Sequence, residues 1–73
     1  MEIHTFTHND KQFEVRIVSD GHSIFVRAFA SGKPANGIRY EATMETIYDA
    51  SSVAGLDVVK ELIKTAEADI RRA

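Results

Sequence analysis

The dipeptide Asp20-Gly21 stands between two runs in which apolar and polar residues alternate, and this arrangement constrains the fold more than any other feature of the sequence. Asp-Gly is favoured in a two-residue type I′ turn, which requires positive φ at both positions. Alternation with a period of two indicates strands with one buried face. The sequence therefore predicts a β-hairpin with strands at about 12–19 and 23–30.

Each strand of this hairpin has one side without charged residues, which we expect to face the core. This inward set is Phe13, Val15, Ile17, Ile24, Val26, Ala28 and Ala30. A two-residue loop places Ile17 opposite Ile24, so inward residues meet inward residues. On the outward side the same register predicts that Glu14 lies opposite Arg27.

A third alternating run follows a cluster of turn residues at 31–37 and extends over about 38–46. Gly, Pro and Asn in the cluster predict a hairpin connection. The inward residues of the third strand are Ile38, Tyr40, Ala42 and Met44. Pairing it with the second strand predicts an outward ladder of alternating charge formed by Glu14, Arg27 and Glu41.

The first residues, about 2–7, predict a further strand joined through a loop near residues 9–11. A three-residue loop would place Ile3, Thr5 and Thr7 inward, whereas a two-residue loop would place Phe6 inward. Both alternatives stay open, so the predicted sheet has three or four strands.

One amphipathic helix is predicted after a break at residues 48–52. Its apolar stripe consists of Leu56, Val59, Ile63, Ala66 and Ile70, flanked by Val58 and Leu62. The spacing is that of a helix with one buried face. Ser51, Ser52 and Asp57 are candidate N-caps, and Glu67 with Arg71 is a supporting i,i+4 pair.

These elements predict an α+β fold: a three- or four-stranded antiparallel β-meander with one C-terminal amphipathic helix packed on one face. A chain of 73 residues has room for one domain, spanning residues 1–73. The residues expected under the helix are Val15, Ile17, Ile24, Val26, Ala28, Tyr40 and Met44.

Composition narrows the function classes. The net charge of −2 gives no general attraction to nucleic acid or to an anionic membrane. No run of about 18 apolar residues occurs, which predicts no membrane association. The first residues lack the basic start and apolar run of a secretory signal, so a cytoplasmic location is expected.

The sequence motifs do not predict catalysis, a metal or a cofactor. His4 and His8 have a spacing that would suit a metal on a helix, but in a strand four residues separate them by ~13 Å. Gly32-Lys33 lacks the further glycine and the Ser or Thr of a phosphate-binding loop. The serines form no G-x-S-x-G elbow. We therefore expect a noncatalytic protein without a metal or cofactor.

The sheet face opposite the helix, here called the helix-free face, holds the candidate binding residues Phe25, Phe29, Arg16, Arg27 and Arg39. Burial of the two phenyl rings against a second copy would supplement the small core of this chain. The leading prediction is therefore an interaction module that forms a homodimer through this face or through a strand edge.

Single-stranded nucleic acid is the alternative partner for the helix-free face. Aromatic rings interleaved with arginines on an open sheet can stack bases and contact phosphates. Glu14, Glu41 and Glu45 are predicted to share this face and would oppose phosphate binding.

Overall fold

The computed structural model describes residues 2–72, which form one antiparallel sheet and two helices. The strands lie side by side in chain order: β1 (Glu2–His8), β2 (Lys11–Ser19), β3 (Ser23–Ala30) and β4 (Lys33–Thr43). The helices are α1 (Met44–Ala54) and α2 (Val58–Arg72). The α+β class and the antiparallel meander are confirmed, with four strands, and the prediction of a single helix is wrong.

The core lies between the sheet and α2. Its buried apolar residues are Phe6, Val15, Ile17, Val26, Ala28, Ala42, Ala66 and Ile70. Ile24 and Tyr40 are partly buried against this cluster, as are Val59, Leu62 and Ile63 of α2. The predicted inward sides of β2 and β3 are therefore confirmed. Met44 and Leu56 were wrongly placed in the core, since they are 37% and 51% exposed and lie outside both β4 and α2.

The β1–β2 connection settles the open question about the first strand. His8 lies opposite Lys11, so the loop consists of two residues. Asn9 and Asp10 both have positive φ, 51° and 65°, as a type I′ turn requires. Phe6 therefore points inward, where its ring stacks on that of Phe13 with centroids 5.4 Å apart.

The β2–β3 connection is longer than the predicted two-residue turn. Ser19 lies opposite Ile24, and the Asp20 carboxylate closes the loop by accepting the backbone N–H groups of His22 and Ser23, each at 2.8 Å. These donors, His22 first, hold the pKa of Asp20 below its usual value. Ile17 consequently lies opposite Val26 rather than Ile24. The observed register differs from the predicted one by two residues, so each side chain stays on the face where it was predicted.

The β3–β4 connection is shorter than predicted. Ser31 and Gly32 form the turn with φ of 53° and 78°, and β4 begins at Lys33 instead of Ile38. The predicted hairpin connection is thus confirmed, with its turn at Ser31 and Gly32. Most of the predicted break lies inside β4 because a β-bulge between Arg27 and Phe29 accommodates the extra residues.

Helix α1 is the element that the sequence did not reveal, because the alternation in β4 continues into its first turn. Thr43 caps its N-terminus by accepting the N–H of Thr46 at 3.2 Å. Gly55 ends it in the left-handed conformation, with φ of 65°. The predicted strand from 38 to 46 therefore stops at Thr43, and the predicted break at 48–52 is helical.

Helix α2 begins as the sequence indicates. The Asp57 side chain accepts the N–H of Lys60 at 3.1 Å, which identifies Asp57 as the cap among the three candidates. Near the other end Arg71 forms the predicted ion pair with Glu67 at 2.8 Å. Within residues 2–72 no helix is long and apolar enough to cross a membrane.

Candidate functional site

Three arginines stand side by side across the helix-free face. Arg16 on β2 lies opposite Arg27 on β3, which in turn lies opposite Arg39 on β4. The predicted ladder of alternating charge is therefore wrong, because Glu14 lies opposite Phe29 and Glu41 opposite Phe25. A row of like charge crosses the sheet instead. We call these three residues the arginine row.

The bulge in the β3–β4 ladder creates this row. At the turn end of the ladder, Ala30 lies opposite Lys33. If that register continued without interruption, Arg39 would lie opposite Ile24 and would share its core-facing side. With the bulge Arg39 lies opposite Arg27. The irregularity in β4 thus places the third positive charge on the helix-free face.

The two outer arginines lie over the phenyl rings. The Arg16 guanidinium carbon is 4.2 Å from the centroid of Phe29, and that of Arg39 is 4.8 Å from the centroid of Phe25. These distances are those of cation–π contacts. Each phenyl ring is half-buried and supports a planar cation. A guanidinium plane is itself a surface on which a nucleic-acid base can stack.

The central arginine has spare hydrogen-bonding capacity. Arg27 Nη2 donates to the backbone carbonyl of Asn36 at 3.3 Å. Its Nε is buried and has no acceptor among residues 2–72. A guanidinium carries five N–H donors, so the fold satisfies only part of this side chain. Within the same described range Arg39 has neither a hydrogen bond nor an ion pair from its side chain.

The carboxylates around the row oppose anion binding less than the sequence predicts. Glu14 is already paired with Arg16 at 2.9 Å. Glu41 remains on the face beside Phe25. Glu45 was wrongly assigned to this face, because it lies in the first turn of α1. Three arginines and two glutamates leave a local charge of +1 on a chain whose total is −2.

All five predicted site residues meet in one open depression of about 330 Å³. Its lining consists of Arg16, Val18, Phe25, Arg27, Phe29 and Arg39. Val18 is the added member, and its outward place in the alternation was the available signal. The Asn36 carbonyl, which holds Arg27, had no sequence signal because its position depends on the bulge.

The histidines do not form part of this depression. His4 and His8 belong to the same strand, and His4 Nε2 lies 3.6 Å from a carboxylate oxygen of Glu67 on α2. In the described part of the chain no group of three His, Cys, Asp or Glu side chains is placed to hold a metal ion. The helix-free face is thus the candidate site that the geometry offers.

No protein-family model, curated protein or solved structure matches this chain.

Proposed function

We propose that this protein is a noncatalytic binding module that holds single-stranded nucleic acid on its helix-free face. The arginine row carries the proposal: it concentrates three positive charges on a chain that is acidic as a whole. The phosphates of the strand would approach Arg27 and Arg39, whose donors are largely uncommitted. Charge-assisted contacts of this kind are stronger than neutral hydrogen bonds.

The phenyl-supported arginines would add base stacking. The guanidinium groups of Arg16 and Arg39 contact the rings of Phe29 and Phe25, so both cations are restricted before a ligand arrives. Stacking tolerates any base because every base has a π-face. An open depression on a sheet accommodates unpaired bases, which a duplex keeps stacked inside the helix. This combination supports binding of single strands without strong sequence preference.

Self-association through the same face is the leading prediction from the sequence. Packing two copies face to face about a two-fold axis at the central Arg27 would set the arginine row of one copy against the row of the other, and like charges repel. Of the two glutamates on this face, Glu14 is engaged within its own chain, which leaves Glu41 alone to offset the three arginines of a second copy. The row therefore favours an anionic partner at this face.

Fluorescence anisotropy with a labelled single-stranded oligonucleotide tests the proposal. We expect binding at low salt, with a slope of about −1.4 in the logarithm of affinity against the logarithm of salt concentration if the two phosphates at Arg27 and Arg39 are neutralised. Arg27→Gln should weaken binding about tenfold, the loss of one charge-assisted hydrogen bond. It should also make the salt slope shallower by ~0.7.

Lys64→Gln is the matched control, since it removes one positive charge from an α2 side chain that is 62% exposed. We expect it to leave affinity within about a factor of two, because distant exposed charges are screened. Absence of binding at low salt would refute the proposal. Equal losses for the two variants would show attraction to net charge alone and would also contradict it.

A further inference from the structure

Strand β1 forms one open edge of the sheet, and β4 forms the other. The two edges differ in regularity. All seven residues of β1 pair with β2 without interruption. The other edge contains Pro34, which has no N–H to donate, and the bulge that interrupts its ladder. Such features block pairing with another strand, and β1 has no proline, lysine or bulge to protect it.

The hairpin geometry determines which backbone groups of β1 point outward. In a hairpin with a two-residue loop, the residues flanking the loop exchange backbone hydrogen bonds, and bonded pairs then alternate along the ladder. The flanking pair here is His8 and Lys11. The N–H and C=O groups of the intervening residues, Ile3, Thr5 and Thr7, therefore point to the open side. All three residues are solvent-exposed.

We infer that β1 pairs antiparallel with β1 of a second copy, about a two-fold axis that passes beside Thr5. The outward groups of the two strands are then matched, with Thr5 opposite Thr5 and Ile3 opposite Thr7. His4 lies opposite Phe6, and Glu2 lies opposite His8. The two four-stranded sheets join into one continuous sheet of eight strands. Both helix-free faces lie on the same side, because the axis is perpendicular to the sheet.

The order of residues in β1 favours a second copy of the chain as the partner of this edge. In the Thr5-centred register the carboxylate of Glu2 lies opposite the imidazole of His8 at both ends, and no two like charges are opposed. A threonine pair and a β-branched Ile–Thr pair are favourable cross-strand neighbours. A register displaced by two residues would lose the Glu2–His8 contact and oppose either two His4 or two Phe6 side chains.

The small core gives a second reason for a partner. The buried apolar set of the described residues has eight members, of which three are alanine. The chain contains no cysteine, so no disulfide supplements this core. Domains of this size commonly gain stability from oligomerisation. Pairing at β1 supplies backbone hydrogen bonds without covering the arginine row, so it is compatible with the proposed binding face.

Sedimentation equilibrium across a concentration series tests the inference. We expect the wild-type mass to approach twice the 8.1 kDa of one chain at high concentration. Thr5→Pro should remain at the monomer mass, because it removes an outward N–H that the β1–β2 ladder does not use. Thr5→Lys provides a second variant that keeps the backbone unchanged and opposes two charges at the axis. Circular dichroism verifies that both variants fold.

Cysteine cross-linking tests the register. Thr5→Cys is expected to form a disulfide dimer under mild oxidation, because the two Thr5 positions face each other across the axis. Thr7→Cys should not, since Thr7 faces Ile3. The native chain has no cysteine to complicate this comparison. A wild-type monomer at every concentration, a folded dimer of both Thr5 variants, or stronger cross-linking at Thr7 would overturn the inference.

Discussion

Asp69 on α2 receives donors from two elements of the fold. The Tyr40 hydroxyl of β4 and the Arg72 guanidinium of the last helical turn both donate to its carboxylate. The hydrogen bond from Tyr40 is the main reason why the pKa of Asp69 is below its ordinary value, and it also raises the pKa of Tyr40. The hydrogen bond between Tyr40 and Asp69 connects α2 to the edge strand β4. Ionised Asp69 therefore stabilises the fold above its unfolded pKa, and this contribution is lost as pH falls through the folded pKa.

Replacement of Tyr40 by Phe tests this contact at the level of one residue. We expect the pKa of Asp69 to rise towards 3.8, its ordinary value, because the principal donor is removed while Arg72 remains. The change is read from an NMR titration of the carboxyl carbon. Tyr48→Phe is the control, since that side chain is 71% exposed. An unchanged pKa in Tyr40→Phe would show that the hydroxyl does not determine it.

Helix α1 depends on its ends more than on its packing. None of its residues is fully buried, and its caps are Thr43 and Gly55. The Gly55 N–H donates to the Ser51 carbonyl at 3.1 Å, and the Leu56 N–H donates to the Ala50 carbonyl at 3.1 Å. Such a C-cap satisfies carbonyls that the helix leaves without donors. Opening of α1 should therefore require little free energy compared with unfolding of the whole chain.

Gly55→Ala should destabilise α1 by about 1 kcal/mol, because an L side chain is strained at positive φ. Apart from the two neighbours in the chain, no atom of residues 2–72 lies within 4 Å of the added Cβ, so the cost comes from the backbone alone. We expect chymotryptic cleavage at the exposed Tyr48 to become roughly five times faster, since the open population rises by that factor. Gly37→Ala is the control, because its Cβ also meets open space and its φ is not in the left-handed region. Equal cleavage rates in both variants would contradict a capping role for Gly55.

Features set by neighbouring residues could be predicted from the sequence, whereas features set by the pairing of distant residues could not. Alternation predicted strands β2 and β3 and their inward sides because it reports burial directly. The arginine row was not predictable, since it depends on the Asp20 loop and on the bulge. Each of these shifts the register of a strand pair, and neither alters the apolar–polar alternation from which the strands are predicted. The five predicted residues nevertheless share one face, because a register shift of two residues leaves each side chain on the same face. Helix α1 was missed because it contributes no buried stripe.

At the scale of the molecule, stability depends on very few fully buried side chains. Val15 on β2 and Val26 on β3 lie on the two paired central strands of the sheet, and both are 0% exposed. A chain of this length has a free energy of unfolding of only about 4–11 kcal/mol. Loss of one central contact should therefore be a large fraction of the total.

Val26→Ala should lower the free energy of unfolding by about 2 kcal/mol, because it leaves a cavity in a core that cannot easily close it. Urea denaturation followed by circular dichroism measures the change. Val18→Ala is the matched control, since Val18 is 43% exposed on the helix-free face, and its loss should cost about 0.5 kcal/mol or less. Similar losses in both variants would show that the centre of the sheet does not dominate stability.

The bulge beside the arginine row also has a consequence for hydrogen exchange. Between the two registers of the β3–β4 ladder, residues 35–38 of β4 have no register partner, while Ala28 is the one residue of β3 between the two paired segments. Their amides lack a regular ladder, and the Ile38 N–H donates instead to the Asn36 side chain at 3.3 Å. Exchange in this segment should be faster than in the flanking strand. The Asn36 carbonyl also accepts a hydrogen bond from Arg27. A ligand that draws Arg27 away would therefore alter the exchange rates of residues 35–38. Exchange at the bulge would then show, without any label, whether a ligand is bound on the helix-free face.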